Sequence, residues 1–113
     1  MDQNSFISGS YYQNDYTKEQ NSQFTREFSA ITEKMAGCLD QELAADSEQM
    51  QQAVQAHYNF CLKFWTPTRE AYKSLAMSYV LPTDYRDSYE SVREGLGTYI
   101  YDAVTEFADQ NLA

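Results

Sequence analysis

His57 and Cys61 stand four residues apart, one helical turn, in a chain with one histidine and two cysteines. A thiol beside an imidazole is the start of a nucleophilic site, but such a site also needs an oxyanion donor and a group that orients the histidine. Asn59, the polar residue between them, points to another helical face, so the pair reads as a packed core histidine beside a structural thiol. A lone histidine among aromatics could hold haem, yet nothing else at haem-pocket spacing accompanies it. Cys38 and Cys61 lack metal-ligand spacing. The acid pairs Asp84 with Asp87 and Glu90 with Glu94 read as solvated helix faces. Gly95-Leu96-Gly97 follows no strand and lacks the further glycine and the lysine of a phosphate loop, so close helix packing explains it better. No catalytic set, metal or cofactor is expected.

The sharper chemical signal is aromatic. Ten Tyr, six Phe and one Trp occur in 113 residues. Tyrosine suits a dry core poorly because each buried hydroxyl needs a partner. Several tyrosines are therefore expected to face a wet or ligand-filled groove. The aromatics are dense in residues 50–83, which hold Tyr58, Phe60, Phe64, Trp65, Tyr72 and Tyr79. That segment has one acid, Glu70, against Lys63, Arg69 and Lys73, whereas residues 1–49 carry 9 acids and 3 bases and residues 84–113 carry 7 and 2. An extended aromatic ligand would bind best on this acid-poor hairpin.

The elements that must position these residues are helical. Thr17 with Gln20 forms a capping-box pattern, and Phe24, Phe28, Ile31, Met35 and Leu39 then recur at helical steps. A second start is predicted at Asp46 with Gln49. It leads into a stripe of Met50, Val54, His57, Tyr58, Cys61, Leu62 and Trp65. With Phe60 and Phe64 alongside, the apolar sector widens to roughly 200°, more than one partner helix can cover. Thr66 as N-cap and Pro67 at the first position predict a third helix over 67–81, with Ala71, Tyr72, Leu75, Ala76 and Tyr79 inward, ended by Pro82. Tyr85, Tyr89 and Val92 mark a short helix within 83–92. Leu96, Ile100, Ala103, Val104 and Phe107 mark the last. No useful segment alternates with period two. The fold class is all-α.

A length of 113 residues gives one domain, and a net charge of -9 argues against nucleic-acid binding by this chain itself. No run reaches the ~18 apolar residues of a membrane span, so no membrane partner is expected. MDQNSFISGS is not a secretory signal, and the cysteine usage suits a reducing cytosol; a cytoplasmic protein is expected. Residues 1–15 are polar and aperiodic and read as a flexible leader before a domain at 16–113.

The stretch His57-Tyr58-Asn59-Phe60-Cys61-Leu62-Lys63-Phe64-Trp65, then Ala71-Tyr72-Lys73-Ser74-Leu75, Ser78-Tyr79-Val80 and Glu94-Gly95-Leu96-Gly97-Thr98-Tyr99-Ile100 with Ala103, resembles the TipA-type antibiotic-recognition domain. Asp15-Tyr16-Thr17-Lys18-Glu19 and Ala45-Asp46-Ser47-Glu48 resemble that family's helix starts. Such domains are the C-terminal effector modules of drug-responsive transcription activators of the MerR class. The resemblance implies a globin-like, all-α domain whose apolar cleft binds hydrophobic antibiotics, thiopeptides among them, either within an activator or as a standalone sequestering protein. Nucleic acid would then be reached only through an N-terminal DNA-binding domain, and RNA polymerase only indirectly. The ligand-binding residues expected are His57, Phe60, Cys61, Phe64, Trp65, Tyr72, Leu75 and Tyr79. Some members capture thiopeptides covalently through a cysteine in the helix matching 67–81. Ser74 occupies that place here and is a far weaker nucleophile, so binding is expected to be reversible. The other reading of the same aromatics is a protein–protein interaction module.

Overall fold

Thr17 begins the first helix in the manner its spacing implies. In the computed structural model, which describes residues 16–113, the Thr17 hydroxyl accepts from Gln20 N at 3.0 Å and Gln20 Oε1 accepts from Thr17 N at 2.8 Å. Two otherwise orphaned donors are thus satisfied reciprocally. Thr17→Ala is expected to lower stability by about 1 kcal/mol, read as a reduced urea midpoint. The expected leader lies outside the described residues.

Helix α1 spans Lys18–Asp40, α2 Glu48–Cys61, α3 Arg69–Met77, α4 Asp84–Val92 and α5 Leu96–Asn111. There is no strand among the described residues. The first, fourth and fifth helices lie where their apolar spacing puts them. The second starts one residue later than expected: Ser47, not Asp46, is the N-cap, its hydroxyl accepting from Met50 N at 3.2 Å.

The third helix needs a larger correction. Thr68 is its N-cap, accepting from Ala71 N at 3.1 Å, and Pro67 lies buried ahead of the helix instead of at its first position. It ends at Met77, so Tyr79 and Val80 stand in a turn outside it. Leu62, expected on the inward stripe of α2, is 43% exposed, because α2 ends at Cys61 and the chain turns away.

α5 packs against all four other helices, and α1 also packs along α2. Leu96, Ile100, Ala103, Val104, Phe107 and Ala108 are buried from end to end of α5. Polar ties fix its register. Gln51 Nε2 donates to Ala103 O at 3.1 Å and to Ala45 O at 3.0 Å, and Tyr99 Oη donates to Leu43 O at 2.8 Å. The N-terminus of α5 sits on the turn after α3, where a Cβ on Gly97 would fall 2.1 Å from the carbonyl oxygen of Tyr79. The close packing expected of this glycine pair is what Gly97 provides, while Gly95 supplies a left-handed cap at φ 86°.

Glu90 departs from the solvated face assigned to it. Its two carboxylate oxygens accept from Gly95 N at 2.9 Å and Gly97 N at 3.1 Å. Gly95 has no side chain to cap α5, so a carboxylate from α4 satisfies those donors and opposes the positive end of the helix dipole.

Candidate functional site

The aromatic residues form two layers. The inner one is built on His57, which α2 holds in the interior at 1% exposure. Its Nδ1 lies 2.8 Å from Tyr72 Oη and its Nε2 lies 3.4 Å from Tyr79 Oη. A neutral imidazole has one N–H and one lone pair, so one tyrosine hydroxyl accepts from the ring and the other donates to it. Burial lowers the His57 pKa to about 4, which keeps the ring neutral at pH 7. Burial raises Tyr72 and Tyr79 well above the usual phenol range, so both stay protonated. Tyr89 of α4 completes this layer, edge-to-face with Tyr79 at a centroid distance of 4.7 Å.

The outer layer is apolar and half-buried. Phe60 and Phe64, one turn apart at the end of α2, meet Phe24 and Phe28, one turn apart on α1. Phe24 lies edge-to-face with Phe64 at 5.0 Å and with Phe60 at 6.4 Å. Tyr16 closes the end of this ladder against Phe24 at 5.0 Å and Phe64 at 5.8 Å. Phe28 belongs to both layers: its ring is 5.7 Å from Phe60, 6.2 Å from His57 and 6.2 Å from Tyr89.

Of the residues selected from sequence, His57, Tyr72 and Tyr79 meet in the inner layer and Phe60 and Phe64 in the outer. His57, Cys61, Tyr72 and Tyr79 are buried; Phe60, Phe64, Trp65 and Leu75 are half-buried. The wide apolar sector of α2 is covered by α1 on one side and α5 on another, with Tyr72 of α3 closing over His57. Burial pushes the Cys61 thiol up to about 12, so it carries no thiolate with which His57 could cooperate. Ser74 is exposed on the solvent side of α3. No group of three His, Cys, Asp or Glu among the described residues is placed to hold a metal ion, and both His57 nitrogens are turned to tyrosines.

Phe24, Phe28 and Tyr89 join the two layers without having been expected there. The signal that would have found the two phenylalanines is the matching pair of Phe-x-x-x-Phe ladders at 24–28 and 60–64. Two hollows lie away from the aromatics. One of about 370 Å³ runs between α1 and α2, lined by Lys34, Gly37, Cys38, Gln41, Gln49, Gln52 and Ala53. The other, about 390 Å³, lies along the start of α1 beside Lys18, Asn21 and Thr25. The aromatic layers themselves are packed ring on ring: Phe24 is edge-to-face with Phe60 and Phe64, Phe28 is tilted against its neighbours, and His57 is stacked on Tyr72.

Comparison with known proteins gives three findings. A family model described as the TipAS antibiotic-recognition domain matches residues 8–107. The HTH-type transcriptional regulator SkgA of Caulobacter vibrioides is 30% identical over 89 residues, which is 77% of this chain and 35% of the regulator. The chain thus spans about a third of the length of that curated relative. The structure of TipAS in complex with nosiheptide, from a thiopeptide antibiotic multidrug resistance system of Streptomyces lividans, superposes with a TM-score of 0.77. That likeness has 24% identity and covers 84% of this chain and 67% of the other, so it shows a shared globin-like helical fold. No helix among the described residues is long and apolar enough to cross a membrane.

Proposed function

Since the chain belongs to the family of TipAS antibiotic-recognition domains, we propose that it binds hydrophobic multi-ring antibiotics reversibly, within the aromatic layers between α1 and α2. The observation that carries this reading is the Phe24–Phe28 and Phe60–Phe64 double ladder, half-buried and backed by hydroxyls. Edge-to-face rings with few charges nearby supply the large apolar contact and the few convergent polar groups that such a ligand needs. His57, Tyr72 and Tyr79 serve as polar backing; Phe60, Phe64, Trp65 and Leu75 are the contact residues. The ligand enters by parting α1 from α2, since rings from those two helices now occupy the interior between them.

As the effector part of a longer HTH-type regulator of the MerR class, the domain would convert occupancy into a changed arrangement of the DNA-binding part, and through it of RNA polymerase. The match to one third of SkgA supports this placement. A standalone drug-sequestering role uses the same site.

Trp65 fluorescence titrated with nosiheptide is expected to shift and saturate, with a rise in thermal midpoint. Denaturing mass spectrometry of the saturated sample is expected to return the unmodified mass, because Ser74 is a weak nucleophile and both cysteines are buried. An unsaturable signal with an unchanged midpoint for nosiheptide and for other large apolar drugs would refute the reading. A covalent adduct would refute its reversible form alone.

A further inference from the structure

The hollow of about 370 Å³ between α1 and α2 has no aromatic residue in its lining. Gly37 on its wall stands nine residues beyond Phe28, about 14 Å further along α1. Helical spacing lays Lys34, Gly37, Cys38 and Gln41 on one face of α1. Gln49, Gln52 and Ala53 share a face at the start of α2. Small residues leave the space between them. A Cβ on Gly37 would meet nothing within 4 Å, and buried Cys38 and Ala53 supply an apolar floor.

Lys34 is the one charged residue of that lining. It has no carboxylate partner among the described residues, whereas Lys63 pairs with Glu27 and Lys73 with Asp109. The side chains of Gln41 and Gln49 make no hydrogen bond among the described residues either. Glu33, Asp40, Glu42 and Glu48 adjoin these residues in sequence, yet none lines the hollow. Asp40 is paired with Arg93, and Glu48 accepts from Gln52 Nε2 at 3.4 Å. Burial raises the Cys38 thiol while the Lys34 charge opposes that rise, so the field of the ammonium reaches the floor. We infer that this hollow is a second ligand site, for a small monocarboxylate whose charged end meets Lys34 and the Gln41 and Gln49 amides while its aliphatic body lies on Gly37, Cys38 and Ala53. One uncompensated cation matches one negative charge, and a net charge of -9 disfavours a polyanion. The volume stands near the small end of ligand pockets, which suits a short chain and not a multi-ring antibiotic. The site is independent of the binding reading above.

Hexanoate and hexanamide share a chain and differ in charge, and amide chemical-shift titration of the protein compares them. Hexanoate is expected to saturate with a Kd of about 1–10 mM, its shifts centred on Gly37, Cys38, Gln49 and Ala53. Hexanamide is expected to bind about fivefold more weakly, and Lys34→Gln to remove that difference. Lys34 is exposed, so this variant keeps the fold. Gly37→Leu fills the hollow and is expected to abolish the hexanoate response while leaving the nosiheptide titration of Trp65 unchanged. A hexanoate response that never saturates, or one centred on Phe24 and Phe60, would overturn the inference. So would equal affinity for hexanoate and hexanamide, or a preference for hexanoate that survives Lys34→Gln.

Discussion

Gly97→Ala is expected to destabilise the domain by about 2–3 kcal/mol, a fall of roughly 10 °C in thermal midpoint. The added methyl would meet the carbonyl oxygen of Tyr79 at 2.1 Å and its carbon at 3.2 Å. Those are backbone atoms, which no rotamer change can clear. The turn that carries them is fixed on both sides. Tyr79 N donates to Ala76 O at 3.0 Å, and the Tyr79 ring is buried against His57 and Tyr89. Alanine gains about 1 kcal/mol over glycine in a helix, too little to offset the displacement of α5 from α3. Gly37, near the end of α1, is the internal control, because a methyl there meets nothing within 4 Å. Gly37→Ala is expected to stabilise by up to about 1 kcal/mol. Urea midpoints of the three proteins give the comparison; a Gly97→Ala midpoint at or above wild type would show that the helix contact is looser than its geometry.

Acidification from pH 7 to pH 4.5 is expected to cost the fold on the order of 3 kcal/mol through His57 alone. In the unfolded chain the imidazole takes a proton near pH 6.5, whereas burial holds the folded ring neutral until about pH 4. The unfolded state therefore binds more protons throughout that interval. Stability is full above pH 6.5, falls as pH drops through the window, and loses nothing further from this group below about pH 4. The groups lying against the ring are Tyr72, Tyr79 and Phe28, none of which offers a negative charge to compensate a proton. His57→Gln keeps a hydrogen-bonding side chain and removes the titration, so its midpoint is expected to depend less on pH over the same range. The carboxylates contribute a common background, and the difference between the two curves isolates His57. An imidazole resonance that titrates near pH 6.5 in the folded domain would contradict the burial argument.

Helix identity was legible in the sequence wherever a cap and a stripe agreed. Thr17 with Gln20 and the ladder from Phe24 to Leu39 locate α1, and the apolar run from Leu96 to Phe107 locates α5. Boundaries failed where several residues offered the same local chemistry. Thr66 and Thr68 are equal N-cap candidates around Pro67, and the choice of Thr68 is tied to a distant contact, Arg69 donating from Nε and Nη2 to Leu112 O at 3.1 and 3.0 Å. The end of α3 at Met77 has no breaker in the chain before Pro82; Tyr79 leaves the helix to reach His57 and to set its carbonyl against Gly97. The candidate site divides in the same way. Residues 57–79 were readable because they share one segment, whereas Phe28 and Tyr89 enter from α1 and α4 through pairings that no single helix's period records. Glu90 looked like surface because its partners, Gly95 N and Gly97 N, are backbone atoms of the next helix.

The central place of α5 has a consequence for synthesis. The four helices ahead of it all rest on a helix of 16 residues that ends at Asn111. A chain emerging from the ribosome in order can pair α1 with α2 early, but both present apolar faces that stay uncovered until α5 has cleared the exit tunnel. For that interval the aromatic ladders are open to anything hydrophobic in reach, chaperone or antibiotic alike. Closure of the fold comes in one step, when the helix that completes the core follows the four it covers.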